Sequence, residues 1–198
     1  YRHSEARLPT RLVIFSGGDK VDFAFYDARS MAERIGTPFP LRVLLDKDDA
    51  APAGPFRTTA WQRGQSEFTT LVEEFWFETY HVGKYLSRAD LWPARARQEA
   101  TLERLLAMIE WRHEVTRGFA PPSDGKALPS WAPDLTGDRM SRLYPRPDVE
   151  GSWLALFETI DLFRRMAREV AAAAGLRYAS EVDRNLYEFL AELRQRSS

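Results

Sequence analysis

The feature that most constrains this fold is a change of hydrophobic period partway along the chain. Near the start, apolar residues alternate at every second position; from Ser66 onward they recur every three or four. A chain that does one and then the other, without interleaving, builds a β-rich piece followed by a helical one, an α+β arrangement. The first runs are Arg11-Leu-Val-Ile-Phe-Ser16 and Val21-Asp-Phe-Ala-Phe-Tyr26, joined by Gly17-Gly18-Asp19-Lys20. β-Branched and aromatic residues on either side of a Gly-rich turn predict a hairpin. Period two puts Val21, Phe23 and Phe25 on one face and Asp22 on the other. A third strand is expected at Leu41-Arg-Val-Leu-Leu45, before the acidic run Asp46-Lys47-Asp48-Asp49. Residues 50–65, with Pro52, Gly54, Pro55 and Gly64, read as a linker. The expected domains are residues 1–60, β-rich, and 61–198, helical. The chain opens at Tyr1 rather than at a methionine and enters the hairpin almost at once, so residues preceding Tyr1 are expected.

Phe68, Leu71, Val72, Phe75, Trp76, Thr79, Val82, Gly83 and Leu86 form one helical stripe, with Ser66 as the expected N-cap. A second helix is expected from about Pro93, carrying Leu102, Leu105, Leu106 and Ile109 and ending at Gly118. Residues 118–151 hold six of the twelve prolines and four of the eleven glycines, which predicts a long loop with at most one short helix. A third long helix is expected from Ser152 to Gly175, and a fourth from a capping-box-like Ser180-x-x-Asp183 start.

Charge and composition exclude several classes of function. With 28 Lys+Arg against 29 Asp+Glu, the chain has no basic excess for a broad grip on nucleic acid. No apolar run is long enough to span a bilayer. The absence of cysteine removes disulfides, thiolate metal sites and cysteine nucleophiles, and reads as a reducing cytoplasm. His3, His81 and His113 are too scattered for a histidine metal cage. The expected partners are small molecules, not nucleic acid or membrane, acting on a monomer.

Three places could carry chemistry. Asp46-Lys-Asp48 has the D-x-D form that can hold Mg²⁺, but at a strand exit such a run also serves as a plain polar loop. Asp22, inside a strand, either faces solvent or points into a site. The first long helix places Phe77, His81 and Tyr85 opposite its core stripe, interleaved with Glu74, Glu78 and Lys84. Carboxylates beside aromatics suit a cationic ligand and a lone lysine suits a phosphate. An interdomain packing face, with Glu78 paired to Lys84 or Arg88, accounts for the same residues.

Those residues also carry a resemblance. Gly18-Asp-Lys-Val-Asp-Phe23, Val43-Leu-Leu-Asp-Lys-Asp48, Phe75-Trp76 with Tyr80-His-Val-Gly-Lys-Tyr-Leu86, Met108-Ile-Glu-Trp-Arg112, and Trp153-Leu-Ala-Leu-Phe157 with Leu162-Phe-Arg-Arg-Met-Ala-Arg-Glu-Val170 occur in this order. Together they resemble the aminoglycoside 6-adenylyltransferase (streptomycin adenylyltransferase) family, from about Leu12 to Leu193. The resemblance implies the C-terminal part of a nucleotidyltransferase domain with a mixed β-sheet, followed by an α-helical bundle. It implies transfer of AMP from ATP to an aminoglycoside hydroxyl with release of pyrophosphate, an antibiotic-resistance activity using Mg²⁺. Asp22 matches the third of the family's metal-binding carboxylates and is the implied catalytic and metal residue. Lys84, with Tyr80, is the implied nucleotide contact, and Glu74 and Glu78 are the implied receivers of the drug's cationic groups.

The sequence departs from the family in one respect. The Gly-Ser turn followed by D-x-D, which supplies the other two carboxylates, is absent; the one Gly-Ser is Gly151-Ser152, far downstream. A lone Asp22 cannot hold the metals that phosphoryl-type transfer needs, so these 198 residues alone are expected to be inactive. A non-catalytic aminoglycoside- or nucleotide-binding protein on the same scaffold is the alternative. A helical interaction module using the Phe77/His81/Tyr85 face is a third reading.

Overall fold

A computed structural model describes residues 10–25, 43–48, 63–135 and 137–197. The chain divides into two compact units, Tyr1–Thr59 and Ala60–Ser198. In the first, β1 (Thr10–Ile14) and β2 (Lys20–Ala24) form a two-stranded antiparallel sheet, with Leu12 opposite Asp22 and Val13 opposite Val21. Gly17 and Gly18 close the hairpin with φ of 110° and 94°, backbone that a side chain would strain. The alternation of β2 is as expected, yet Val21, Phe23 and Phe25 are all exposed, so neither face is covered by described residues. Tyr26, the linker at 50–62 and Leu41-Arg42 of the expected third strand lie outside the described residues. Val43, Leu44 and Leu45 are exposed and are not in a strand, which corrects that expectation. A strand exists only through its partner's hydrogen bonds, and a short run such as Val43-Leu44-Leu45 does not supply one.

The second unit is a helical assembly. Its elements are α1 (Gln65–Leu86), α2 (Leu91–Arg117), α3 (Leu128–Trp131), α4 (Asp138–Leu143), α5 (Val149–Ala174) and α6 (Ser180–Ser197), with single 3₁₀ turns at Ser123–Gly125 and Pro133–Leu135. The fold is α+β. The loop expected at 118–151 therefore contains two short helices and two 3₁₀ turns, because its prolines stand at helix starts as well as in breaks.

Helix boundaries follow local chemistry. Gly64, not Ser66, caps α1: its N–H is accepted by the Glu67 carboxylate at 3.0 Å, which leaves Ser66 inside the first turn. Asp90 precedes α2, and Pro93 sits within its first turn, as expected. Asp148 caps α5 by accepting from the Gly151 N–H, and the helix begins at Val149, three residues before the expected start at Ser152. Gly118 and Gly175 end α2 and α5 in the left-handed region, as expected.

The core lies where α1, α2 and α5 meet. Phe75 stacks on Phe163 with centroids 3.6 Å apart, and Phe68 meets Trp111 edge-on at 5.5 Å. Trp76, Trp153, Leu105, Met108, Ile160 and Met166 complete an interior from which water is excluded. Two contacts fasten α6. A Cβ on Gly83 would lie 2.3 Å from Leu190 Cδ2, so α6 seats against α1 where no side chain intervenes. At the other end Asp183, fully buried, is ion-paired with Arg164 and with Arg168, the latter at 2.7 Å. Asp183 is therefore not the capping residue that its spacing from Ser180 suggested; two arginines on α5 draw it inward instead. Among the described residues no helix is long and apolar enough to cross a membrane.

Candidate functional site

α1 turns 100° per residue, which carries its candidate residues off the core stripe to different degrees: Phe77 is largely exposed, Glu74 half-exposed, Tyr80 and Lys84 half-buried, and Glu78 buried. α2 runs back along α1 after the turn at Ser87–Asp90, so residues equally distant from that turn face each other. Arg97 Nη1 donates to both carboxylate oxygens of Glu78 at 3.1 Å. Arg104 Nε lies 2.8 Å from Glu74 Oε2, and Arg63 Nη2 donates to Glu114 Oε1 at 3.0 Å. Glu78 thus pairs across the helical hairpin, not along its own helix to Lys84 or Arg88. Glu78 is buried, whereas the Glu74 side chain is 51% exposed and keeps an edge toward solvent.

Glu73, Glu74, Phe77, Glu78 and Arg104 line an open groove of about 420 Å³. A second groove of about 400 Å³ shares Glu74 and runs past Arg63, Glu67 and Trp111. The Arg63 guanidinium lies over the Trp111 ring at 5.1 Å. Glu74 and Glu78 are therefore brought together on one acidic wall. Tyr80 and Lys84 lie one turn apart on a neighbouring stripe, both half-buried. Tyr80 stacks on Phe189 of α6 at 5.6 Å and meets His81 edge-on at 5.3 Å; His81 Nδ1–H donates to the Phe77 carbonyl at 2.8 Å. Phe77 is largely exposed, while Tyr85 packs partly against the core.

In the other unit, the Asp22 carboxylate is half-exposed and accepts from Lys20 Nζ at 2.9 Å. Asp46 and Asp48 form a tight acidic turn, the Asp48 N–H donating to Asp46 Oδ1 at 3.3 Å. Among the described residues no group of three or more metal-ligating side chains comes together. Asp22 alone offers too few oxygens for Mg²⁺, and its own neighbour is a lysine, so the described residues do not fit that ion.

Three titratable groups beneath the α1–α2 surface escaped the sequence reading. Burial pushes the carboxyls of Glu114 and Glu110 up; Arg63 opposes this at Glu114, and chiefly the Gly125 N–H opposes it at Glu110. Burial lowers the His113 imidazole against a hydrogen bond with the Trp131 backbone. Reflecting the chain about the Ser87–Asp90 turn marks Glu114 as the partner of Arg63, while Arg97 and Arg104 stand two and one positions off the mirror images of Glu78 and Glu74. A raised carboxyl binds its proton more tightly in the folded chain, so stability falls as pH climbs above the ordinary glutamate value. Glu110→Gln is expected to raise the melting temperature at pH 7 by a few degrees and to have no such effect near pH 4. Melting curves across that range check the sign; an equal effect at both ends would refute it.

Residues 1–193 match the family described as streptomycin adenylyltransferase. The chain is 24% identical over 174 residues to the aminoglycoside 6-adenylyltransferase of Campylobacter jejuni, a match covering 84% of this chain and 60% of that protein. It thus spans about 60% of the length of the curated relative it matches. Its fold is similar to the crystal structure of an aminoglycoside 6-adenyltransferase from Bacillus subtilis, with a TM-score of 0.64 at 20% identity, covering 96% of this chain and 73% of that one. At that identity the likeness concerns the fold. A family match that runs through both compact units, from the hairpin to the last helix, places the chain: it belongs to the streptomycin adenylyltransferase family.

Proposed function

We propose that the protein transfers the adenylyl group of ATP to a hydroxyl of an aminoglycoside, with streptomycin as the acceptor. The observation that carries this reading within the family is the acidic wall of α1. Glu73, Glu74 and Glu78 line a shallow open groove with one aromatic ring, Phe77, and one cation, Arg104. An aminoglycoside is a set of ammonium or guanidinium groups on hydroxylated rings, and such a groove offers it carboxylates and a ring face. Glu74, half-exposed, is the receiver most open to exchange its arginine for a drug cation. Glu78 accepts at both oxygens from Arg97 Nη1 and sets the charge of the wall more than it makes direct contact.

Lys84 is the proposed phosphate contact of ATP, as a compact charge on a flexible stem, with Tyr80 beside it. The drug hydroxyl attacks the α-phosphorus, a new P–O bond forms, and the bond to pyrophosphate breaks. Asp22 is the proposed acceptor of the hydroxyl proton. The cytoplasm and a monomeric state remain part of this reading.

The experiment is pyrophosphate release by the native protein with ATP, Mg²⁺ and streptomycin. Turnover that depends on the drug supports the reading; none with any aminoglycoside removes it. Lys84→Ala is expected to raise the KM for ATP about tenfold or more while leaving that for streptomycin within about twofold, since one charge–phosphate contact is worth 1–3 kcal/mol. Equal losses for both substrates would take Lys84 away from the phosphates. The alternative reading is a non-catalytic aminoglycoside- or nucleotide-binding protein on the same scaffold. Streptomycin binding by the native protein without turnover would select that reading.

A further inference from the structure

A cavity larger than either groove of α1 stands apart from the acidic wall. It lies on the other side of α2, under the short helices, with a volume of about 590 Å³. Its floor is apolar: Leu102, Leu106 and Ile109 come from α2, and Met140 and Leu143 from α4. The wall opposite is set by Gly125, whose φ of 65° turns the backbone down onto Leu106; a Cβ there would lie 3.3 Å from Leu106 Cδ1. The short helices lean on α2 without filling the space between.

The rim is of one sign. Among the described residues Glu99, Glu103 and Asp124 are its charged members, and no arginine, lysine or histidine lines the cavity. Glu99 and Asp124 pair with exposed Arg95 and Lys126 at 3.2 and 3.7 Å, and Glu103 lies 3.5 Å from Arg104, which is half-buried and held more closely by Glu74. Exposed pairs of this kind contribute little and exchange readily. An apolar floor of drug-molecule size beneath three carboxylates complements one chemistry, a hydrophobic body ending in a cation. A polyhydroxylated drug would strand its hydroxyls against leucines, and an anion would meet three like charges.

We infer that this cavity is a binding site for small amphiphilic amines, separate from the aminoglycoside groove and independent of the adenylyl transfer. The apolar tail lies between α2 and α4, and the ammonium group sits among Glu99, Glu103 and Asp124. A basic amphipathic helix of a protein partner would present similar charges, but a volume of about 590 Å³ matches a small molecule.

The test uses the native protein and three probes with the same ten-carbon tail, decylammonium, decanol and decanoate, each below its micellar concentration. Calorimetry is expected to rank decylammonium at least about tenfold tighter than decanol, with decanoate weakest; tenfold corresponds to about 1.4 kcal/mol. The variant Glu99→Gln/Glu103→Gln/Asp124→Asn changes only exposed side chains and is expected to reduce the amine preference to about twofold. Leu106→Gln is expected to weaken all three probes together. The Met140 methyl resonance should shift with decylammonium, and saturating streptomycin should leave the titration unchanged. Equal affinity for amine and alcohol, a preference that survives neutralisation of the rim, a silent Met140, or displacement by streptomycin would each overturn the assignment. Binding of a basic amphipathic peptide with no response to decylammonium would overturn it in favour of a protein partner.

Discussion

Replacing Asp183 by Asn is expected to lower the melting temperature by about 10 °C. Asp183 is 1% exposed and lies between Arg164 and Arg168 on the neighbouring helix. Removing the buried partner of an ion pair costs up to about 3–5 kcal/mol, and the cation that loses most is Arg164, 22% exposed, while Arg168 is 53% exposed. For a chain of this size each kcal/mol moves the midpoint by about 2–4 °C. The amide keeps the shape of the carboxyl and loses only its charge, so the effect reads electrostatics rather than volume. The Arg164 guanidinium also lies 4.4 Å over the Tyr187 ring and that of Arg168 lies 5.7 Å over Tyr178, so both cations keep a weaker partner when the carboxylate goes. Burial and the same carboxylate push the Tyr178 phenol well above its ordinary range, so it remains neutral in the folded protein. Calorimetric melting at pH 7 checks the prediction. A shift below about 2 °C would mean that water reaches Asp183 and that the helix is held by apolar contact alone.

Asp22→Asn is expected to do the opposite. In the native protein it should lower turnover about a thousandfold, in line with the 10²–10⁴ that a positioned acid or base contributes, and leave the melting temperature within about 1 °C. The side chain is half-exposed and its pair with Lys20 is a surface one, so its loss costs little stability. Pyrophosphate release and thermal melting, measured on the same preparation, separate the two. Normal turnover would remove Asp22 from the chemistry; a large loss of stability would show that the carboxylate is structural. The two aspartates make a contrast that can be tested in one afternoon's melts: one held for the fold, the other proposed for the reaction.

How much of this could be read from the sequence depended on whether the deciding partner was local. The stripe from Phe68 to Leu86 is set by helical geometry alone, and so were the left-handed ends at Gly118 and Gly175. The hairpin was equally legible, since the glycines of its turn lie between its strands. Where two local signals competed, the reading slipped. Ser66 is a good cap by type, but Glu67 reaches back to Gly64 and moves the start by two residues. Asp183 shows the limit more sharply. Its spacing from Ser180 fits a capping box, yet two arginines from α5 outweigh one backbone N–H. Val43-Leu44-Leu45 failed for the same reason in reverse, an apolar run without a partner strand among the described residues. For the candidate site, residue types were legible and pairings were not. Glu74 and Glu78 stood out as acids on a helix, but their engagement by Arg104 and Arg97 exists only once α2 folds back.

The two fastenings of α6 have a mechanical consequence. Leu190 seated over Gly83 fixes how close the helix lies, and Asp183 between its arginines fixes its azimuth, the angle through which it could spin about its own axis. Either alone would leave a pivot; together they leave none. Phe189, beside Leu190, is thereby clocked toward Tyr80, so the final helix acts as the jig that holds one edge of the aromatic surface in place.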